Sequence, residues 1–313
     1  MKRFIAAFAG LSMLMLISVF SIAFSQGGKS ELANQEKIVH RLRHDNDEEK
    51  NKDAHPGEAK ARPRPGGNGI SYHGGPLILN TTNVYYIWYG NWSGNSATTI
   101  LTDLARSIGG SPYFNINTTY YNGSNVHVSN SVNYVNSVND NYSQGTSLSD
   151  SAIQAVVAGA ISGGALPYDT NAVYFVLTSA DVTASSGFCT QYCGWHTHGT
   201  INGFDIKYAF IGNPDRCPTA CEAQTTGPNG NAGADGMASI ISHELEEAVT
   251  DPDLNAWYDT RGQENADKCA WTFGTTYPGP NGSSYNVTLG TRNYLIQRNW
   301  VNAAGGYCSM TYP

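Results

Sequence analysis

The sequence predicts an α/β (α+β) domain, in which helices pack on a mixed sheet and disulfides brace the loops. Continuous runs of β-branched and aromatic residues alternate with segments whose apolar residues recur at helical spacing. Six cysteines fall in the same part of the chain. Residues 67–313 are long enough for one large domain with a full core.

The first half of this domain alternates strand and helix. The segments in order are a buried strand, "NVYYIWYG" (83–90); a helix, "SATTILTDLARSIGG" (96–110); an alternating strand, "NVHVSNSVNYV" (125–135); a helix, "SLSDSAIQAVVAGAISGG" (147–164); and a buried strand, "NAVYFVLTS" (171–179). Glycines end both helices.

The second half is less regular. An irregular, Cys-rich stretch precedes a further strand, "DIKYAFIG" (205–212). A Gly/Asn loop then leads into the helix "MASIISHELEEAVT" (237–250), which we expect Asp235 to cap. The last fifty residues, rich in Gly, Tyr and Asn, predict loops and short strands.

The N-terminal residues predict export. Lys2 and Arg3 precede an apolar run, and small residues follow it, so residues 1–25 are expected to be a signal peptide, with an uncleaved anchor as the alternative. Residues 26–66 are charged and Pro-rich and predict a disordered linker or pro-segment. We therefore expect a secreted protein, in the periplasm, the cell wall or the medium, without a membrane contact once the signal is removed.

The charge of the domain excludes some partners. From Gly67 onward there are 7 Lys or Arg against 17 Asp or Glu, a balance of −10. Nucleic acid and anionic membranes attract basic surfaces, so neither is an expected partner.

In an exported protein, cysteines predict disulfides before metal thiolates. Fifteen pairings of six cysteines exist, and spacing alone does not choose between them. We expect two short local loops, Cys189–Cys193 and Cys217–Cys221, together with Cys269–Cys308.

The segment "ISHELEEAVTDP" (241–252) carries a pattern typical of metal-binding helices. At about 100° per residue, Glu247 lies about 40° and Glu244 about 100° from His243, and apolar residues occupy the opposite face. Side chains at i and i+4 can bind one metal ion, and the residue after the histidine can act on a bound water. We therefore predict His243 and Glu247 as metal ligands and Glu244 as the catalytic residue.

A third ligand must come from elsewhere. Glu264 follows Glu247 by 17 residues, a spacing similar to that of metalloproteases with a downstream glutamate ligand, and it is the predicted third ligand; Asp251, Asp259 and Asp267 are alternatives. Zinc accepts histidine and carboxylate ligands together and is the predicted cofactor. Because a second carboxylate favours harder ions, calcium and manganese remain alternatives.

Other interpretations stay open. Acidic residues on a helix usually face solvent, and His-Glu-x-x-Glu is a looser pattern than His-Glu-x-x-His. His196 and His198 in "FCTQYCGWHTHG" would share one face of a strand and could bind metal, or would only hydrogen-bond in a loop. The stretch "GPNGNAGADG" (227–236) faintly resembles a calcium loop, but a glycine-permitted turn is favoured. His73 is a further candidate.

Several stretches in order resemble one known family. They are "YHGGPLI", "VYYIWYGNW", "VYFVLTSADV", "FCTQYCGWH", "YAFIGNPDRCPTAC", "GPNGNAGADGM" and "YPGPNGSSYNV…YLIQRNWV…YC", and they extend from Tyr72 to Cys308. Together they resemble the EXORDIUM family, also called phosphate-induced protein 1, so residues 67–313 are interpreted as an EXORDIUM-like domain. The resemblance implies an extracellular protein associated with the cell wall, as the plant members are.

The helix of the metal-binding pattern departs from the plant members, which lack the His-Glu pair. It looks like the microbial branch of the family, in which this helix reads His-Glu-x-x-Glu-Ala-x-Thr-Asp-Pro. Two hypotheses follow. In the first, the protein is a zinc-dependent hydrolase, a peptidase with a zincin-like core. In the second, it is a non-catalytic extracellular or cell-wall-associated protein. The expected partner is an extracellular protein, a peptide or a wall polysaccharide.

Overall fold

The computed structural model describes residues 38–41, as backbone, and residues 68–313, all within one compact unit, Glu36–Pro313. The predicted signal peptide (1–25) and all of the predicted linker (26–66) except 38–41 lie outside the described residues. Among the helices of the described residues, none combines the length and the apolar character that crossing a bilayer requires.

A six-stranded mixed sheet lies at the centre of the unit, with the strand order β1-β8-β9-β6-β3-β4. Strands are numbered along the chain, and those of this sheet are β1 Ile38–Arg41, β3 Thr82–Tyr89, β4 Val132–Asp140, β6 Ala172–Thr178, β8 Tyr192–Ile201 and β9 Phe204–Ile211. The two-stranded pairs elsewhere use β2 Ser71–Tyr72, β5 Ser147–Leu148, β7 Thr183–Ala184, β10 Trp257–Tyr258, β11 Tyr277–Pro278, β12 Ser284–Tyr285, β13 Val287–Leu289, β14 Arg292–Tyr294, β15 Asn299–Val301 and β16 Tyr307–Ser309.

The helices of the described residues are α1 Ala97–Ser107, α2 Asp150–Ser162, α3 Pro218–Cys221 and α4 Ala232–Thr250. Shorter 3-10 helices lie at Phe114–Thr119, Pro214–Arg216 and Asp267–Cys269. Helix α4 contacts β6, β8 and β9 and packs beside α1. A mixed α/β fold is therefore confirmed.

Four strands of the sheet are parallel: β4, β3, β6 and β9. The connections β3–α1–β4 and β4–α2–β6 cross the sheet in opposite directions, and right-handed crossovers then place α1 and α2 on opposite faces. Strand β6 is buried at every position, as a strand covered on both faces must be.

Strand β8 is the exception in direction, because it runs antiparallel to β9. The two strands are joined by a tight turn at Asn202 and Gly203, whose φ angles are 49° and 84°. A two-residue turn with positive φ at both positions matches the twist of antiparallel strands, and Asn-Gly is its preferred sequence. This hairpin brings the Cys-rich stretch, which we had expected to be irregular, into the sheet.

Two predicted boundaries differ from the structure. The third predicted segment forms a strand only from Val132, and residues 125–131 do not. Helix α4 is capped by Asn231, whose side chain accepts from the Ala234 amide at 3.0 Å, and not by Asp235. Asp235 instead lies in the first turn and accepts from the Asn229 amide at 2.9 Å, which holds the preceding loop.

The disulfides are Cys189–Cys217, Cys193–Cys221 and Cys269–Cys308. The predicted Cys269–Cys308 bridge is confirmed, whereas the two local loops were wrong. Cys189 lies in the turn before β8 and Cys193 lies inside β8, and both cysteines reach across to the segment around α3. The two parallel bridges tie the beginning of β8 to α3.

Candidate metal centre

Helix α4 is buried on every side, which an amphipathic surface helix would not be. From Met237 to Thr250 every residue is buried, and the carboxylates of Glu244, Glu246 and Glu247 are 0% exposed. The solvent-facing interpretation of these acidic residues is therefore wrong. Burying a charged group is expensive unless it is paired, hydrogen-bonded or bound to an ion. The surroundings of these carboxylates thus define the candidate site.

Glu247 and His243 contact each other along the helix. His243 Nε2 lies 3.0 Å from Glu247 Oε1, as the i,i+4 spacing predicts. The backbone amide of Asp267 donates to the same oxygen at 3.0 Å, and Asp267 Oδ1 lies 3.7 Å from His243 Nε2. Ligand atoms of His243, Glu247 and Asp267 all lie within 4.8 Å of one another.

His196 reaches the same place from strand β8. Its Nε2 lies 2.8 Å from Glu264 Oε2 and 3.8 Å from Glu247 Oε2. His196 is 1% exposed and Glu264 is 0% exposed. The predicted third ligand, Glu264, is thus brought to the predicted helix ligand Glu247 through an imidazole from the sheet.

Glu244, the predicted catalytic residue, points into the same cluster. Ligand atoms of His196, Glu244 and Glu247 lie within 4.8 Å of one another. Within the described residues, neither carboxylate oxygen of Glu244 has a hydrogen-bond partner, and both are buried. A buried acceptor without a partner destabilises the folded state by about 1–3 kcal/mol, and by more when it is charged.

The glycine at position 194 lets β8 approach the helix this closely. A Cβ at Gly194 would lie 2.6 Å from Ile240 Cγ2, 2.9 Å from the Phe210 carbonyl oxygen and 3.3 Å from Glu244 Oε1. The backbone of β8 therefore rests directly on the turn of α4 that carries Glu244.

Burial controls the protonation of the acidic groups. Desolvation raises the pKa of Glu244 and of Glu264 well above the ordinary range, and Glu247 adds to both shifts. Desolvation raises the pKa of Glu247 to about 7, against the opposing effect of His243. Burial therefore favours the protonated form of these carboxyls.

The pKa values of the two histidines of the cluster, His196 and His243, shift in opposite directions. Burial lowers the pKa of His196 to about 3, and the neighbouring His243 adds to this effect. Burial acts in the same direction on His243, but Glu247, Asp267 and Glu244 outweigh it and raise its pKa well above the ordinary value. The 2.8 Å contact of His196 with Glu264 satisfies the distance criterion of an ion pair. The opposite pKa shifts make it a hydrogen bond between neutral groups instead.

Two other candidates of the sequence, His73 and Asp259, lie outside this cluster, whereas Asp251 shares a side-chain hydrogen bond with Glu264. Asp251 accepts from the backbone amides of Asn255 and Ala256, and Asp259 pairs with Lys268. His73 stacks on Tyr258 at a ring separation of 3.7 Å.

His198 belongs to a second acidic group. Its Nδ1 lies 2.8 Å from Asp205 and 3.7 Å from Asp253. Lys207 pairs with both carboxylates, at 2.5 and 3.4 Å. A resident ammonium group supplies the positive charge there, so this cluster is an ion-pair network rather than a cation site.

Sequence reasoning gave His196 little weight because β8 was not predicted. The signal existed: His196 and His198 alternate, and Asn202-Gly203 followed by "DIKYAFI" is a hairpin pattern. If a strand had been predicted before that turn, the alternation of side chains along it would have placed His196 and His198 on the same face of the sheet.

Comparison with known proteins gives a consistent result. The family model described as the phosphate-induced protein 1 conserved region matches residues 70–310. Protein EXORDIUM-like 3 of Arabidopsis thaliana is 33% identical over 280 residues, which cover 77% of this chain and 82% of that protein. Protein EXORDIUM-like 5 of the same plant is 32% identical over 273 residues, covering 74% of this chain and 75% of that protein.

A relative from a second plant agrees. Protein PHOSPHATE-INDUCED 1 of Nicotiana tabacum is 28% identical over 273 residues, with 72% of this chain and 83% of that protein covered. No solved structure matches the chain. With the family model spanning nearly all of residues 68–313, the chain belongs to the phosphate-induced protein 1, or EXORDIUM, family.

Proposed function

We propose that this family member is an exported, zinc-dependent hydrolase that cleaves peptide bonds, with a zincin-like core. His243, Glu247 and Glu264 would hold the metal, and Glu244 would act on the attacking water. The observation that carries the proposal is the convergence of two histidines and three glutamates in one buried cluster.

The donor set fits a divalent cation. Zinc is bound by imidazole nitrogen and carboxylate oxygen, and both kinds of atom meet around Glu247. Glu247 Oε2 and both oxygens of Glu244 are buried without a hydrogen-bond partner among the described residues. A bound cation would supply positive charge beside these carboxyls and would favour their ionised form.

The residues around the ligands have separate tasks. His196 holds Glu264 through the Nε2–Oε2 contact, as neighbours of a ligating carboxylate commonly do. The Asp267 amide holds the other ligating carboxylate, Glu247. Both contacts fix the ligands before a metal arrives.

In the proposed reaction the metal, when bound, lowers the pKa of a water and polarises the scissile carbonyl. Glu244 takes a proton from that water as its oxygen bonds to the carbonyl carbon. The C–N bond then breaks, and Glu244 returns the proton to the departing amine. Its buried position next to Glu247 keeps bulk water from competing for that proton.

Metal content and cleavage of casein or a fluorogenic peptide by the purified protein test the proposal. We expect about one zinc per chain. Glu244→Gln should keep the metal and lose activity by a factor of about 10² or more. His243→Ala should lose both. Glu222→Gln is the matched control, because it neutralises a glutamate of residues 68–313 that lies outside the cluster.

The proposal would be overturned if the purified protein contained no metal and its melting temperature were the same with and without a chelator. That result would leave a non-catalytic extracellular protein that binds a wall or matrix component. Zinc bound in stoichiometric amount with no cleavage of any tested peptide would make the metal structural and would reject the hydrolase.

A further inference from the structure

Strand β1 covers an edge of the sheet that the rest of the described chain leaves open. Residues Ile38–Arg41 pair antiparallel with β8, and within residues 68–313 that side of β8 has no other strand. The register sets Ile38 opposite His196, Val39 opposite Trp195 and His40 opposite Gly194.

This edge is the one next to the candidate metal centre. His196 reaches Glu264 and Glu247, and Gly194 rests against Glu244. The backbone of β1 also contacts α4. A strand from the segment predicted as a pro-segment therefore lies along β8, which contributes His196 to the cluster.

The cluster is closed in the structure with β1 in place. His196, Glu244 and Glu247 are each at most 1% exposed. A hydrolase must admit a polypeptide to such a group, so an element beside it has to move. Of the elements next to the cluster, β8 is anchored by two disulfides and α4 is packed on all sides.

Strand β1 is the shortest of these elements. It is four residues long and interrupted by a register shift between His40 and Arg41. Each backbone hydrogen bond contributes a net of only about 0.5–1.5 kcal/mol. An open strand edge binds other extended chains through the same main-chain groups, so a competing peptide can replace so short a strand.

We infer that the edge of β8 on which β1 lies is the docking edge for an extended peptide substrate and that Ile38–Arg41 occupies it in cis as a displaceable cover. The inference that the cover regulates access to the metal centre rests on the proposed function. The strand exchange itself does not. Displacement or proteolytic removal of the N-terminal segment would open the edge.

The experiment uses the full chain with proline in β1. Ile38→Pro/His40→Pro removes two backbone donors from the strand. The matched control, Asp45→Pro/Asp47→Pro, places the same two substitutions at the same spacing in the same segment but outside β1. Circular dichroism checks that all three proteins retain the fold of residues 68–313.

Hydrogen exchange gives the first readout. We expect the amides among residues 192–196 that face β1, and not those that face β9, to exchange at least about tenfold faster in the β1 variant and to be unchanged in the control. Equal exchange in all three proteins would overturn the inference, because β1 would then protect nothing.

Peptide binding gives the second readout. A fluorescein-labelled peptide of residues 37–42, "KIVHRL", should bind the β1 variant at least about tenfold more tightly than wild type or control. The same peptide with proline at both strand positions should not bind. Failure of the unsubstituted peptide to bind the β1 variant would reject β8 as a docking edge.

Metal content and peptide cleavage separate the two proposals. Faster exchange and peptide binding in a protein without zinc or activity would keep the docking edge and reject the hydrolase. Cleavage activity that is equal in wild type, control and β1 variant would keep the hydrolase and reject the cover.

Discussion

His196 and Glu264 are 68 residues apart in the chain, yet His196 Nε2 lies 2.8 Å from Glu264 Oε2, with both side chains buried. This contact joins the edge strand of the sheet to the loop that supplies the predicted third ligand. It makes β8 part of the candidate site.

Under the proposed function, removal of this contact should weaken metal binding. For His196→Gln we expect zinc affinity to fall by a factor of about 10–100, since a neighbour that orients a ligand has that typical effect. Competition with a chromogenic chelator measures it. His198→Gln is the control, because His198 faces a separate ion-pair network with Lys207. Equal zinc affinities of the two variants would remove His196 from the site.

Because β8 lies so close to α4, adding a single methyl group at Gly194 should lower the stability of the protein. Gly194→Ala should lower the free energy of unfolding by about 1–3 kcal/mol, because the new Cβ meets the fixed Phe210 carbonyl and Ile240. Gly159→Ala, inside α2 with nothing within 4 Å of its Cβ, should instead be neutral or stabilising by up to about 1 kcal/mol. Urea denaturation compares them. A neutral Gly194→Ala variant would mean that β8 and α4 do not pack this closely.

The two parallel disulfides predict non-additive losses. Either bridge alone closes nearly the same loop, with a sequence separation of 28 residues. Cys189→Ser/Cys217→Ser should therefore destabilise by far less than the quadruple variant, which loses about 3.5 kcal/mol by loop entropy. Thermal unfolding of wild type, the double variant and the quadruple variant tests this. Non-reducing peptide mapping must also find Cys189 linked to Cys217. A Cys189–Cys193 peptide would contradict the structure.

The raised pKa of Glu222 predicts that the free energy of unfolding falls as the pH rises. Burial raises the pKa of this 4% exposed carboxyl to about 7, and Asp215 adds to the shift. Between pH 4.5 and 7 the unfolded chain has therefore released a proton that the folded chain retains, so the free energy of unfolding falls as pH rises through this window. Glu222→Gln should be more stable than wild type at pH 8, by on the order of 2 kcal/mol, and equal at pH 4. Urea titrations at both pH values measure the difference, and a gap that does not change with pH would contradict the raised pKa.

The elements predicted from sequence were those with strong periodic patterns. The buried runs at β3, β6 and β9 and the amphipathic helix α1 follow directly from side-chain order. Strand β8 lacks such a run, because glycine, cysteine and two histidines interrupt it. Its place in the sheet depends on the Asn202-Gly203 turn, the two disulfides and the packing of Gly194 on α4.

The site was only partly predictable, because some of its contacts are local in the chain and others depend on the tertiary fold. The contact of His243 with Glu247 is local, so helical geometry gives it. Complete burial of Glu244 and Glu246 is not local, because it depends on the sheet below α4 and on the loop that carries Glu264. Acidic residues are rarely fully buried, so a solvated face stayed open as the alternative to the predicted metal site.

The bridges of Cys189 and Cys193 have a practical consequence for production and assay. A cytosolic expression host keeps thiols reduced, so β8 would lack its anchors there and His196 would lose its fixed position. Secretion into an oxidising compartment is the suitable route. Dithiothreitol should be omitted from buffers, because it would open these bridges and also bind zinc, and the resulting inactivation would imitate treatment with a chelator.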